Sequence, residues 1–150
     1  RDTENKNEFE HIVIFKLDNQ EYGVNIGYVN EIRRINEITR LPKAPYFIDG
    51  MIDLREEILP IINLKKMFDM QGVYTHIENK IVVAEYENRK VGILIDGTSG
   101  IMKLPKNNIE DAPIIQNDST YKNYIYKVAK FNNNDRNIII LNFPEILSLI

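Results

Sequence analysis

Apolar residues occur along this chain in short segments that are separated by polar turns. Residues 9–17 place most of their apolar side chains on one alternating face, which predicts a strand, and Asp18 and Asn19 supply a turn to a second strand over 21–24. Short helices are predicted over 65–70 and 143–150, and polar linkers over 71–79 and 107–122. Residues 28–35 fit either a strand or a helix that leads into one. Further strands are predicted over 50–54, 58–64, 80–86, 91–95, 101–104, 124–131 and 137–142.

The strand pattern occurs twice. Without gaps, residues 12–26 align with residues 81–95, which places Gly23 on Gly92 and Asn19 on Asn88. Later, residues from Ile58 match residues from Ile138, at an offset of 80. The repeat predicts two pseudo-repeated, barrel-like halves of about five strands, over 9–70 and 80–150. We expect the halves to pack against each other, because neither buries much apolar surface alone. A chance likeness of two hairpins is the alternative, and the matched glycine and turn positions weigh against it.

Composition excludes several kinds of site. The chain has 150 residues, 19 Lys+Arg against 22 Asp+Glu, and no cysteine, which removes disulfides and thiolate chemistry. Its near-balanced charge argues against binding nucleic acid.

The polar residues 1–8 are predicted to be a disordered leader, and the lack of an initial Met suggests a piece of a longer chain. The longest strongly apolar run is far shorter than the ~20 residues of a membrane-spanning helix.

Motifs for catalysis or cofactors are not recognisable in the sequence. His11 and His76 are the only histidines, and they lie too far apart in the pattern to suggest a metal site. Residues 97–100 are rich in glycine but lack the spacing and lysine of a phosphate-binding loop. The paired carboxylates of Glu56 and Glu57 fall in a predicted turn, where such groups are usually solvated. We therefore expect no enzyme activity, no cofactor and no metal.

Several ordered motifs resemble the CheW-like domain family. Residues 21–64, EYGVNIGYVNEIRRINEITRLPKAPYFIDGMIDLREEILPIINL, are similar to its tyrosine-glycine hairpin, V-x-E-I stretch, I-T-R-x-P-x-A-P connector, N-L-R-G turn and following strand. Residues 90–105, KVGILIDGTSGIMKLP, resemble the V-G-x-x-V-D stretch of the family's second half. The likeness covers residues 9–149, which is nearly the whole chain.

The resemblance implies a mainly β fold of two SH3-like five-stranded β-barrel subdomains with a shared core and a few short helices. It also implies a cytoplasmic, non-enzymatic adaptor of bacterial chemotaxis, associated with membrane receptor arrays through its partners. Those partners are the regulatory domain of the histidine kinase CheA and the cytoplasmic tip of a methyl-accepting chemotaxis protein, which docks between the barrels. Neither nucleic acid nor direct membrane insertion is implied. The alternatives are the CheW-like regulatory domain of a kinase or of a receiver-fused coupling protein, and a small-molecule-binding or enzymatic SH3-like domain.

The resemblance also transfers candidate partner-binding residues. We hypothesise that Arg55 pairs with Glu31, because arginine binds carboxylates through a fork of donors. The simpler interpretations are a core role for Val29, a turn role for Gly50 and a backbone-capping role for Asp96. The full set of candidates is Val29, Glu31, Arg33, Thr39, Gly50, Arg55 and Asp96.

The chain departs from the family at the N-L-R-G turn, where it reads Asp53-Leu54-Arg55-Glu56. A glycine at the last position indicates a tight turn or a positive φ. Glu56 there predicts either a strained residue, at roughly 1–3 kcal/mol, or a different turn. The added carboxylates also make the surroundings of Arg55 more acidic.

Overall fold

The computed structural model describes residues 8–70, 80–111, 124–131, 133 and 135–150. Most of these residues lie in strands, so the predicted mainly β fold is confirmed. Short α-helices span Leu64–Met67 and Phe143–Leu147, and 3-10 helices span Ile26–Tyr28 and Lys106–Asn108. The strands are β1 Phe9–Leu17, β2 Gln20–Asn25, β3 Val29–Arg34, β4 Ile48–Leu54, β5 Glu57–Ile62, β6 Lys80–Tyr86, β7 Arg89–Ile95, β8 Gly97–Pro105, β9 Ile109–Asp111, β10 Ile125–Phe131 and β11 Arg136–Leu141.

The strands form two sheets, each in its own compact unit. The first unit combines residues 1–27 with 98–149, and its sheet has the order β8-β1-β2-β11-β10-β9. Its apolar core contains Ile12, Ile14, Leu104, Ala129, Ile138 and Ile140. The second unit spans residues 28–97 with Ile150, and its sheet has the order β3-β6-β7-β5-β4. Its core contains Ile52, Leu54, Leu59, Ile61, Ile81, Val83 and Leu94.

The predicted halves 9–70 and 80–150 do not coincide with these sheets. The first hairpin, β1–β2, belongs with β8–β11, whereas the second hairpin, β6–β7, belongs with β3–β5. Each hairpin therefore pairs with the later strands of the other repeat, and the five strands of the second sheet match the order of the first five strands of the other sheet. The reason is a pair of parallel contacts: β11 lies beside β2, and β5 lies beside β7. Sequence similarity identifies equivalent strands but does not specify which copies pair.

The repeat itself has a clear structural counterpart. Ile61 lies opposite Gly92 in one sheet, and Ile140 lies opposite Gly23 in the other. Asn63 and Asn142 then cap equivalent helices, because their side chains accept hydrogen bonds from the backbone N–H groups of Lys66 and Glu145. These equivalences correct the predicted offset of 80 in this region to 79.

Other predicted elements differ at their ends. Residues 107–122 were expected to be a loop, yet their described part begins with the end of a 3-10 helix and β9. Ile109 packs on the first core and pairs with Ala129, which explains the extra strand. The helices are shorter than predicted, and residues 28–35 form a strand after a 3-10 turn. Residues 1–7 of the predicted leader and the predicted linker over 71–79 lie outside the described residues. Glu8, the last residue of the predicted leader, is described, and its carbonyl accepts a hydrogen bond from the Lys106 N–H. Among the described helices, none has the length and apolar character needed to cross a membrane.

A salt bridge joins β2 to its parallel neighbour β11. Nε and Nη2 of Arg136 lie 2.7 and 2.9 Å from the two carboxylate oxygens of Glu21, and the Ser99 hydroxyl donates to Glu21 at 3.1 Å. The hydrogen bonds from Arg136 lower the pKa of Glu21 below its usual value, against the opposing effect of burial. Two donors in a planar fork hold the carboxylate in one orientation. The pair therefore links β2 and β11 at the Glu21 end of their parallel contact.

Candidate partner-binding site

The predicted contact between Arg55 and Glu31 is present. Nη1 of Arg55 donates to Oε2 of Glu31 at 2.8 Å, through one nitrogen rather than the two that a fork would use. Arg55 follows β4 and Glu31 lies on β3, and these are the two outer strands of the second sheet. The contact therefore shows that this sheet curls until its edges approach each other.

Glu31 owes its orientation to an irregularity in β3. A register shift between Val29 and Glu31 places Glu31 opposite Val83, which is a member of the second core. Glu31 consequently lies beside the second core, and its side chain is 28% exposed. Position in β3, rather than solvation alone, thus directs Glu31 toward Arg55.

Arg55 is held by a two-residue turn. Leu54 pairs with Glu57, and the residues between them have φ values of 51° at Arg55 and 69° at Glu56. Positive φ at both central positions is the geometry of a tight hairpin turn that suits the twist of strands. The first of the two expected outcomes at Glu56 therefore applies, because a glutamate occupies a backbone region that favours glycine.

A surface depression of about 330 Å³ surrounds this pair. Its apolar floor is formed by Leu54 and Val83, which belong to the second core. Its polar lining comes from Asn30, Glu31, Arg55, Glu57 and Lys90. We call this feature the polar depression.

Two further contacts order its rim. Nζ of Lys90 lies 2.9 Å from Oε1 of Glu57, and the Asn30 amide donates to Glu85 at 3.0 Å. The hydrogen bond to Glu57 raises the pKa of Lys90 above its usual value. Glu57, Glu85 and Lys90 were not candidates from the sequence. Their shared sequence feature is a position beside a predicted hairpin turn, which does not single them out.

Val29 and Arg33 lie on β3 on either side of Glu31. Both are partly buried, and Nη1 of Arg33 lies 3.7 Å from the second oxygen of Glu31. Glu31 is thus flanked by two guanidinium groups. Glu31, Arg33 and Arg55 form one local group, and Val29 lies on the same strand as Glu31.

Thr39 and Gly50 form a second group. Thr39 exchanges two backbone hydrogen bonds with Met51, at 2.8 and 2.9 Å. A Cβ on Gly50 would lie 2.2 Å from the Thr39 carbonyl oxygen, and Gly50 has a φ of +153°. Neither expected role of Gly50 therefore describes it fully, because it lies in a bulge of β4 and admits close approach of the chain's own connector.

Asp96 belongs to a third group. Its carboxylate lies 2.8 Å from Nζ of Lys65, whose side chain is only 3% exposed. Neither the expected partner contact nor backbone capping predicts this ion pair. A lysine beside apolar residues in a short helix gave no sequence signal of burial. The pair compensates a charge that is nearly removed from solvent.

The described residues offer no group of three or more metal-binding side chains. His11 is exposed on β1, and His76 lies outside the described residues. The chemistry of the polar depression is instead that of ion pairs and hydrogen bonds around a small apolar floor. Such a surface suits recognition of another protein's charged side chains.

A family model of the CheW-like domain matches residues 11–150. The chain belongs to the CheW-like domain family. Chemotaxis protein CheW of Klebsiella aerogenes is 39% identical over 104 residues, which are 69% of this chain and 63% of that protein. Chemotaxis protein CheW of Bacillus subtilis is 28% identical over 134 residues, which are 89% of this chain and 85% of that protein.

A solved structure is also similar to this fold. The crystal structure of scaffolding protein TtCheW from Thermoanaerobacter tengcongensis superposes with a TM-score of 0.78 and 31% identity, over 89% of this chain and 88% of that one. The family resemblance and the mainly β fold predicted from the sequence are thereby confirmed.

Proposed function

We propose that this chain is a scaffold of bacterial chemotaxis that couples chemoreceptors to a histidine kinase by binding both. The observation that carries the proposal is the match of residues 11–150 to the CheW-like family, together with relatives named chemotaxis protein CheW. TtCheW, the protein of similar structure, is a scaffolding protein. Assignment to a larger kinase or receiver-fused protein is less favoured, because these relatives carry the CheW name.

The proposed partners are the cytoplasmic tip of a methyl-accepting chemotaxis protein and the regulatory domain of the kinase CheA. The chain acts at receptor arrays in the cytoplasm, without catalysis. In this proposal the receptor tip contacts the polar depression through Arg55, whose side chain is 70% exposed. Binding two partners at once raises the effective concentration of each for the other.

The other candidate residues have indirect roles in the proposed binding of partners. Val29, Glu31 and Arg33 support the receptor contact from β3. Thr39 and Gly50 hold the connector on β4, and Asp96 neutralises Lys65. Within the proposal these last three act on partner binding through the fold and not by direct contact.

The test is direct binding with purified proteins. The chain is titrated with a receptor-tip fragment and separately with the kinase regulatory domain, both from the source organism, and the mixture of all three is separated by size. We expect both pairwise complexes and a three-component complex. Arg55→Ala should weaken receptor binding and leave kinase binding intact. Absence of both pairwise complexes would overturn the proposal.

A further inference from the structure

Two carboxylates, those of Glu31 and Glu57, line the polar depression together with the guanidinium of Arg55. Glu31 lies across the curled sheet and accepts its hydrogen bond at 2.8 Å, whereas Glu57 follows Arg55 by only two residues. Glu57 is paired instead with Lys90, at 2.9 Å. All four side chains line the polar depression.

The choice between these carboxylates rests on a small free-energy difference. Arg55 is 70% exposed and Glu57 is 59% exposed, so each side chain has room to reorient. Ion pairs at such exposed positions contribute only about 0.2–1 kcal/mol. A cation that occupies Glu57 is therefore sufficient to decide which carboxylate Arg55 binds.

We propose that Lys90 is a positioning residue of the partner surface: by holding Glu57, it keeps Arg55 paired with Glu31. This inference rests on the proposed function, because the orientation of Arg55 matters only if a partner contacts it. It assigns a role to the acidic turn that departs from the family's N-L-R-G motif. A turn with added carboxylates needs a neighbouring cation if Arg55 is to stay directed across the sheet.

The charges around Lys90 agree with this arrangement. Lys90 faces Glu57 and Glu85, which both raise its pKa, and Arg55, which lowers it. Lys90 and Arg55 therefore repel each other across the depression. Their separate carboxylates, Glu57 and Glu31, keep the two cations apart.

The test uses three variants, Lys90→Met, Glu57→Gln and the double variant. Lys90→Met keeps an unbranched side chain but frees Glu57 to bind Arg55, so affinity for a purified receptor-tip fragment should fall about three- to five-fold. Glu57→Gln alone gives the affinity of a depression that lacks the second carboxylate. In the double variant that carboxylate is also absent, so affinity should rise three- to five-fold above that of Lys90→Met.

A merely structural role gives the opposite pattern. If the Lys90–Glu57 bond served only to hold the strands, the double variant would bind as weakly as Lys90→Met. Lys130→Met is the matched control, since Lys130 pairs with Glu110 in the other sheet at similar side-chain exposures of 31% and 57%. This control should bind the receptor fragment normally.

A second measurement separates the inference from the proposed function. The guanidinium NMR signals of Arg55, assigned with Arg55→Lys, should shift in Lys90→Met and return in the double variant, without any partner present. If these signals behave so but the wild-type chain fails to bind the receptor fragment, the proposed function fails and the positioning of Arg55 stands. Unchanged Arg55 signals in Lys90→Met would overturn the inference.

Discussion

Arg55 and Glu31 are separated by 24 residues, yet a hydrogen bond of 2.8 Å joins them. The bond links the two outer strands of one sheet, so it reports how far that sheet curls. Glu31 also lies 3.7 Å from Arg33, which gives one carboxylate two cationic neighbours. The proposed partner surface thus depends on a long-range contact rather than on a local motif.

Coupling between Arg55 and Glu31 should be measurable in receptor binding. Alanine changes at each position, alone and together, form a double-mutant cycle with a receptor-tip fragment. We expect a coupling energy of about 0.5–1 kcal/mol, because the pair is exposed on its arginine side. Purely additive losses would show that the two residues act independently. Glu110→Ala serves as the control for a surface carboxylate elsewhere.

Glu56→Gly should stabilise the fold. Glu56 has a φ of 69°, a region in which a residue with a Cβ is strained. Relief of that strain exceeds the added chain entropy of glycine, so the free energy of unfolding should rise by about 0.5–1 kcal/mol. Urea unfolding measures the change.

The matched control for that variant is Asp53→Gly. Asp53 is exposed in β4, three residues earlier, and its φ is not positive. Glycine in a strand interior costs about 0.5–1 kcal/mol, so this change should destabilise the protein. A loss of stability in both variants would contradict the assignment of strain to Glu56.

Asp96→Ala should be strongly destabilising. The Asp96 carboxylate lies 2.8 Å from the Lys65 ammonium, which is nearly buried. Removing the carboxylate leaves that charge without its acidic partner, and breaking such a pair costs about 3 kcal/mol. Lys65→Met combined with Asp96→Ala should recover most of that loss, because no buried charge remains. Thermal unfolding of the two variants provides the comparison. An equal loss in single and double variants would rule out charge burial as the cause.

Glu21→Gln should change how stability depends on pH. The pKa of Glu21 is lowered in the folded state, mainly by its hydrogen bonds from Arg136, so its contribution is present above the usual value of about 4.5. That contribution disappears as pH falls through the lowered pKa. Because Arg136 is 37% exposed, we expect a loss of only about 1 kcal/mol at pH 7.

The measurement for Glu21 is urea unfolding of both proteins between pH 7 and pH 3. The stability gap between wild type and Glu21→Gln should be constant above about pH 5 and shrink below the usual carboxylate range. A gap that stays constant to pH 3 would show that the ionised carboxylate of Glu21 contributes nothing.

The sequence by itself determined the strands, their turns and the repeat. Alternating apolar residues and turn residues such as Asn19 and Asn88 are local signals, and the structure contains the corresponding hairpins. The family motifs also led to the Glu31–Arg55 contact. Glu56 was recognised as a departure because its motif position implies a backbone geometry rather than a distant partner.

Only the tertiary structure decided which repeat each hairpin joins and which charges are buried. Parallel pairing of β2 with β11 and of β5 with β7 brings together segments that are distant in sequence. The apolar pattern of a strand shows which face is buried but not which strand lies beside it. For the same reason the partners of Lys65, Lys90 and Arg136 were not predictable. Each of these cations meets its carboxylate only after the sheets have formed, because the pairing depends on register and curvature rather than on spacing along the chain.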